Sequence, residues 1–330
     1  MKPVFVPNYY PAFRCTASAC RHTCCVGWEI DVDEDSLDYY DTIEGPLGAR
    51  LREKIDREAD PPCFRLDEQE RCPFLNRNGL CDLITELGEG ALCHICADHP
   101  RFRNLLPDRV ELGLGLCCEA AAALILGQTA PMEIIRLPVG EASRERAAHR
   151  DPEEPDPLTD ALLSARTAVL NAVQDRTKPL SERIRHVMRA LDIHLPMSGY
   201  AEWAEFLGGL ERLDPAWDGY LDVLSTLGED PLCELDGETD TAYEQLLCYF
   251  LYRYLTAEDD GRPALLQVRV AFAIQSAILI HALAQAIARA IGQNPPEALA
   301  EAARLYSSEI EYSEENLERF LDLLEDSISE

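Results

Sequence analysis

Cys72-Pro73-Phe74-Leu75-Asn76-Arg77-Asn78-Gly79-Leu80-Cys81, followed closely by Cys93-His94-Ile95-Cys96, sets four cysteines into one short stretch of chain. Asn78-Gly79 tolerates positive φ at both residues, which predicts a tight hairpin turn between Cys72 and Cys81. Such a turn brings those two sulfurs near each other. Cys93 and Cys96 lie one turn apart, so both can face one metal centre. Working outward, the same pattern thickens. Upstream stands Cys15-x4-Cys20-x3-Cys24-Cys25, and downstream the doublet Cys117-Cys118. Eleven of the thirteen cysteines fall between Cys15 and Cys118.

Dense cysteines have two common explanations, disulfides and metal. The opening Met1-Lys2-Pro3-Val4-Phe5-Val6-Pro7-Asn8 has two prolines and no apolar run, so no export signal is expected and a cytoplasmic location is. There the thiols stay reduced. Thiolates packed together without a cation repel one another, which leaves metal as the reading. The candidate ligands are Cys15, Cys20, Cys24, Cys25, Cys72, Cys81, Cys93, Cys96, Cys117 and Cys118, with Cys20, Cys24, Cys72, Cys81, Cys93 and Cys96 foremost. Soft anionic sulfur selects zinc or iron–sulfur centres over magnesium or calcium. Structural zinc usually shows evenly spaced ligand pairs, and these spacings are uneven with two doublets. They favour an iron–sulfur cluster, with zinc as the alternative. Ten candidates exceed the four that one cluster uses, so some only pack or two centres exist. Cys63, Cys233 and Cys248 read as small apolar residues, and His22, His94 and His99 as ordinary polar residues.

The remainder reads as helix. Asp35–Asp41 and Leu47–Arg57 are short helical stretches within the Cys-rich part, and Glu119–Gly127 is an Ala/Leu-rich helix ending at glycine. Segments 161–173, 180–191, 200–213 and 220–227 have amphipathic spacing, whereas 242–255 and 263–291 are apolar on most faces. The segment 271–291 contains Gln275, Ser276, His281, Gln285 and Arg289, which marks a buried helix rather than a membrane span. Ser313 suits an N-cap before Leu317, Phe320, Leu321 and Leu324. The fold expected is mainly α: an irregular Cys-rich metal-binding region with a small β-hairpin (1–127), a linker rich in proline and charge (128–157), and an α-helical body (158–330) on which the first region packs.

Sixty acidic against thirty basic residues leave a net charge of -30. That surface repels nucleic acid and anionic membrane; it serves solubility, and it also suits a cationic or lysine-bearing partner. Gly88-Glu89-Gly90 and Gly113-Leu114-Gly115 lack the strand–turn–helix context of a dinucleotide site. The radical Cys-x3-Cys-x2-Cys spacing fails at Gly27, and no catalytic or cofactor-binding residue stands out.

Several of these residues together carry a resemblance. Pro7-x-Tyr9-x3-Phe13-x-Cys15-x4-Cys20-x2-Thr23-Cys24-Cys25-x-Gly27-Trp28 resembles the start of the flagellin lysine-N-methylase family. Cys72-Pro73-Phe74-Leu75, Gly79-Leu80-Cys81, Leu92-Cys93-x2-Cys96, His99-Pro100-Arg101-Phe102 and Cys117-Cys118-Glu119-Ala120 are similar too, as are Tyr249–Tyr254 and Glu315-Asn316-Leu317. The Cys-rich part also resembles a wider class of zinc- or iron-chelating CxxxxCxxxCC regions. The resemblance implies S-adenosylmethionine-dependent methylation of lysines on flagellin, or on a similar surface protein, by a protein carrying a 4Fe–4S cluster. The wider class implies instead a non-enzymatic chelator serving metal delivery, redox sensing or an interaction scaffold. Cys63 is an extra cysteine relative to the methylase pattern.

Overall fold

The structure, a computed structural model, describes residues 2–142, 152–154, 157–197, 199–227, 235, 240–256, 264–292 and 295–329. Two compact units emerge. One is Arg14–Arg101, and the other combines Met1–Phe13 with Phe102–Glu330. The Cys-rich unit thus begins and ends inside the expected 1–127 region, and its flanks, including Cys117 and Cys118, belong to the helical unit. Within the expected linker, residues 134–136 form a strand and 139–142 a helical turn, while Cys233 and most of 143–156 lie outside the described residues.

The chain opens with β1 (Val4–Pro7) of the helical unit. The Cys-rich unit then supplies α1 (Glu34–Asp41), α2 (Gly45–Lys54), β2 (Ile55–Asp56), β3 (Cys63–Phe64), α3 (Asp82–Leu87) and α4 (His94–Asp98). Asp33 starts α1 by accepting from the Ser36 backbone N–H at 3.0 Å and from Ser36 Oγ at 2.9 Å. Glu34 and Asp35 in its first turn complement the helix dipole. α2 runs straight into β2, which pairs antiparallel with β3 through Ile55 and Phe64. Ile30, Val32, Tyr40, Leu51, Phe64, Phe74 and Leu83 form a small core. Cys72 and Cys93 are buried in that core, so the prospective metal ligands and the apolar packing share one interior.

The expected hairpin at Cys72–Ile84 is a closed turn rather than a pair of strands. Asn76 N–H donates to the Leu80 carbonyl, Asn76 Oδ1 accepts from the Asn78 and Leu80 amides, and Gly79 takes φ 71°. A single bridge joins Leu75 to Cys81. Helix α3 starts at Asp82, so the returning arm has no length in which to become a strand. The two-stranded sheet of this unit is β2–β3 instead.

The helical unit continues with β4 (Arg101–Leu105), β5 (Val110–Leu114), α5 (Glu119–Leu126), β6 (Ile134–Arg136) and α6 (Val139–Ala142). Its strands form a sheet in the order β4-β5-β1-β6. β1 runs parallel to β5 (Val4 opposite Val110) and antiparallel to β6 (Phe5 opposite Arg136). Helices α7 (Pro157–Val173), α8 (Leu180–Ala190), α9 (Tyr200–Gly208), α10 (Trp217–Leu224), α11 (Asp240–Tyr254), α12 (Ala264–Ile291), α13 (Pro295–Tyr306) and α14 (Glu314–Ser329) complete it. A π-helical turn, Ser307–Glu311, joins the last two.

The mainly α architecture matches the expectation, and the helix positions largely follow the hydrophobic periodicity. α12 lies among α10, α11, α13 and α14. Its Leu266–Ala290 stretch is long and apolar enough to cross a membrane, and 94% of its most apolar window is buried inside the protein. α11 is buried from Tyr243 to Tyr252 without a break. Its Glu244, 1% exposed, is held by Arg176 at 2.8 Å and Arg183 at 2.6 Å. Ser313 caps α14, its Oγ accepting from the Asn316 amide at 3.2 Å.

Candidate metal centre

Four local structures deliver cysteines to the interior of the Cys-rich unit. Residues 25–27 pair with 70–72: the Cys72 amide donates to the Cys25 carbonyl at 2.8 Å, Val26 bridges Arg71, and Gly27 N–H reaches Glu70 O. Gly27 takes φ 87°, which lets the chain turn there. Cys25 and Cys72 therefore sit side by side. The closed turn after Cys72 returns the chain to Cys81, which stands at the N-cap of α3. Cys93 stands at the N-cap of α4, and Cys96 follows on its first turn.

The electrostatics show that these five thiols share one neighbourhood. Burial pushes Cys72 up to about 12, and negative charge on Cys25, Cys81 or Cys93 raises it further. Burial raises Cys81 against the opposing amides of Ile84 and Leu83, with Cys25 again adding. Cys93 and Cys96 share a hydrogen bond, so the Cys93 thiol is lowered and the Cys96 thiol raised. A hydrogen bond from Cys24 lowers Cys25 to about 7, with Arg71 assisting. Tyr40, whose hydroxyl donates to Ala91 O at 2.7 Å, is raised first by burial and then by Cys93, Cys96 and Cys81. Thiols that must all ionise to ligate would repel strongly here, and a cation is the natural counterweight.

Spacing bears on which cation suits. Among the described residues no three thiol sulfurs lie within 4.8 Å of one another, whereas Asp33, Asp35 and His94 do bring three donor atoms that close. A single tetrahedral zinc with sulfurs at about 2.3 Å draws its ligands closer together than that limit. A cluster separates them, because each thiolate binds its own iron. The Asp33 carboxylate already serves α1 and accepts from the His94 amide at 2.7 Å, which accounts for that acidic group structurally.

The other candidates are placed differently. Cys15 is exposed and its sulfur accepts from the Ala17 amide at 3.3 Å. Cys20 is directed to the His22 carbonyl at 3.3 Å, and Cys24 is exposed. Cys25, not Cys20, joins the buried group. Cys63 lies buried in β3 and Cys248 in α11, each raised by burial, consistent with packing roles. Cys117 and Cys118, expected in the metal region, instead precede α5 in the helical unit. Cys117 is pushed up to about 12 by burial, opposed by a hydrogen bond from Tyr312 and the charge of Arg253. Of the histidines, His94 places Nε2 3.3 Å from Asp33 Oδ1. The His99 ring lies tilted beside Trp28, their centres 6.1 Å apart, and burial lowers its pKa to about 4.

A second polar group, within the helical unit, was not foreseen as a site. Tyr249 OH donates to Glu311 at 2.8 Å, Tyr254 OH to the same carboxylate at 2.9 Å, and Arg253 Nη1 to Tyr249 OH at 2.7 Å. Glu311 has no exposed side-chain surface and lies 3.4 Å from Arg253. It sits in the π-helical turn, a distortion frequent at functional sites. Burial, then Glu311, raises both phenols well above their usual value against the pull of Arg253. The tyrosines of 249–254 thus keep their protons at neutral pH and act as donors, not bases. The sequence trace of this group was the aromatic run itself, since Glu311 lies 57 residues beyond Tyr254 and 62 beyond Tyr249.

No family model matches the chain, and no solved structure does. It is similar to the lysine-N-methylases of Salmonella typhimurium and Salmonella choleraesuis, at 28% identity over 145 residues, or 41% of this chain and 35% of each relative. It is equally similar to the flagellar biosynthetic protein FliU of Salmonella muenchen, of which the match covers 84%. The match thus spans about a third of the length of the lysine-N-methylases.

Proposed function

We propose that this protein is a protein-lysine N-methyltransferase that acts on flagellin or a similar surface protein, uses S-adenosylmethionine, works in the cytoplasm and carries a 4Fe–4S cluster. The similarity to lysine-N-methylases carries the reaction class, and the five gathered thiols support the cluster. Cys72, Cys81, Cys93 and Cys96 are the natural four ligands, with Cys25 as the alternative fourth. A bound cluster would supply iron–thiolate bonds that neutralise the thiolates and fix α3 and α4 in place.

In the transfer itself, the lysine nitrogen forms the new bond to the methyl carbon as the sulfonium–carbon bond breaks, its electron pair passing to sulfur. A lysine ammonium has no lone pair, so one proton must leave the nitrogen before attack. The acidic surface favours approach of lysine-bearing segments.

The alternative is that the Cys-rich unit serves as a chelating module for metal delivery, redox sensing or scaffolding. Its standing as a compact unit of its own favours that reading. One experiment separates the two. Anaerobically purified protein is analysed for iron, sulfide and zinc, then incubated with flagellin and labelled S-adenosylmethionine. Iron and sulfide in equal amounts with label on flagellin lysines is expected. Iron without transfer would favour the chelator, and zinc without sulfide would remove the cluster.

A further inference from the structure

Within the group of gathered thiols, Cys93 and Cys96 touch: their side chains share a hydrogen bond. The turn that carries them is closed by the protein's own backbone. Ala97 N–H donates to the Cys93 carbonyl at 2.9 Å, and His99 N–H to the Ile95 carbonyl at 3.1 Å. Residues at the start and middle of α1 hold that turn from two sides. The Asp33 carboxylate accepts from the His94 amide at 2.7 Å, and the Tyr40 hydroxyl donates to the Ala91 carbonyl at 2.7 Å. All four bonds run between nitrogen and oxygen atoms, so they hold the turn independently of any metal.

A disulfide needs adjacent sulfurs and an unstrained loop. Cys93-x2-Cys96 meets both demands, because a short loop brings the second thiol to the first at little entropic cost. Neighbouring pairs meet them less well. Cys24 and Cys25 also share a hydrogen bond, but their disulfide would close a small ring around a flat trans peptide. Cys25 and Cys72 lie on paired segments, yet the Cys25 hydrogen bond engages its sulfur with Cys24. Exposure sets the order of events. Cys93 is fully buried and Cys96 half-buried, so a small oxidant meets Cys96 first.

We propose that Cys93 and Cys96 form a reversible disulfide, with a low-molecular-weight disulfide such as glutathione disulfide as oxidant, and that this bond and the bound metal exclude each other. The exclusion rests on the metal-centre reading, in which both residues are ligands. The Cys96 sulfur attacks the oxidant, whose sulfur–sulfur bond breaks; one glutathione thiolate leaves and a mixed disulfide remains. The Cys93 sulfur then attacks the Cys96 sulfur, and the second glutathione leaves with its electron pair. The two protein thiol protons pass to the two leaving thiolates. Two protein thiols are oxidised and one glutathione disulfide is reduced to two glutathiones. The oxidised pair has no thiolate to offer iron or zinc, so metal loading requires its reduction.

The test uses the full, anaerobically purified chain, one portion as purified and one stripped of metal with a chelator. Each is equilibrated in glutathione buffers from reducing to oxidising, acid-quenched, alkylated and mapped by peptide mass spectrometry, with metal per chain and circular dichroism measured alongside. The stripped chain should gain a Cys93–Cys96 disulfide as the buffer becomes oxidising, and Cys25→Ser should gain it too. The oxidised chain should take up at least about tenfold less metal until it is reduced, because two ligands are tied up. In the as-purified portion, metal release and that disulfide should appear together along the series, a comparison that does not depend on the stripped chain staying folded. Release without the disulfide, or a folded stripped chain that pairs other cysteines or none, overturns the proposal and leaves the methylase reading untouched. An oxidised chain that loads metal as well as the reduced one overturns the exclusion and removes both cysteines from the centre. A chain that holds no metal as purified and takes none up after reduction overturns the exclusion and the cluster reading together.

Discussion

Arg166 of α7 grips Glu111 of β5 through two hydrogen bonds, Nη1 to Oε2 at 2.7 Å and Nη2 to Oε1 at 2.6 Å, with 3% and 1% of the two side chains exposed. The same guanidinium reaches the Leu255 carbonyl at 3.3 Å and stacks over the Tyr252 ring. One ion pair thus ties the sheet to α7 and to the end of α11. Removing one partner strands the other charge in the interior. Arg166→Met should destabilise the helical unit by about 3–5 kcal/mol, and the Arg166→Met/Glu111→Leu double variant by clearly less. Urea unfolding followed by circular dichroism measures both; a double variant as unstable as the single one would refute the argument.

The proposed cluster makes different demands on the gathered thiols and on the cysteines buried in the helices. Cys93→Ser or Cys96→Ser should lose most of the bound metal, because both residues hold the interior of the group from one helical turn. Cys248→Ser, buried within α11 of the helical unit, should keep it. Metal per chain by plasma emission spectrometry decides. Full metal in the Cys93 and Cys96 variants would remove them from the centre.

His99 sets an acid limit on the Cys-rich unit. Burial, then Arg101, lowers its folded value from 6.5 to about 4. A depressed folded value means that the neutral ring is favoured in the folded state. The stability it contributes is present above pH 6.5 and is lost as pH falls from 6.5 through about 4. The loss amounts to at most about 3 kcal/mol. His99→Phe should flatten this part of the stability profile relative to wild type, as read by denaturant midpoints across that range. Parallel profiles would show that another group carries the acid response.

Gly113 leaves room for a ring. A methyl group there would occupy the space of the Phe102 side chain. Gly113→Ala should cost about 1–3 kcal/mol through forced displacement of that ring. Thermal unfolding checks the effect. An unchanged melting temperature would mean that the ring moves without consequence.

Local patterns were legible where local physics governs. The helices around 161–173, 180–191 and 242–255 followed from apolar spacing, because a helix buries a stripe that recurs along its own sequence. Ser313 was recognisable as a cap for the same reason. Cysteine density marked out the Cys-rich unit, since the spacing of a residue and its near neighbours is visible along the chain. The four-stranded sheet was not legible: Val4–Pro7 finds its partners Val110 and Ile135 more than a hundred residues away, and strands this short carry little periodic signal.

By itself, then, the sequence determined a mainly helical protein with a thiol-rich region, because helix periodicity and cysteine spacing are properties of neighbours along the chain. Tertiary structure alone decided that Cys25 joins Cys72, Cys81, Cys93 and Cys96, that Cys117 and Cys118 go to the helical unit, and that Tyr249, Arg253 and Tyr254 gather around Glu311. Each of those groupings depends on which distant segments share an interior, and that is settled by burial and charge balance across the whole fold, not by any local run of residues.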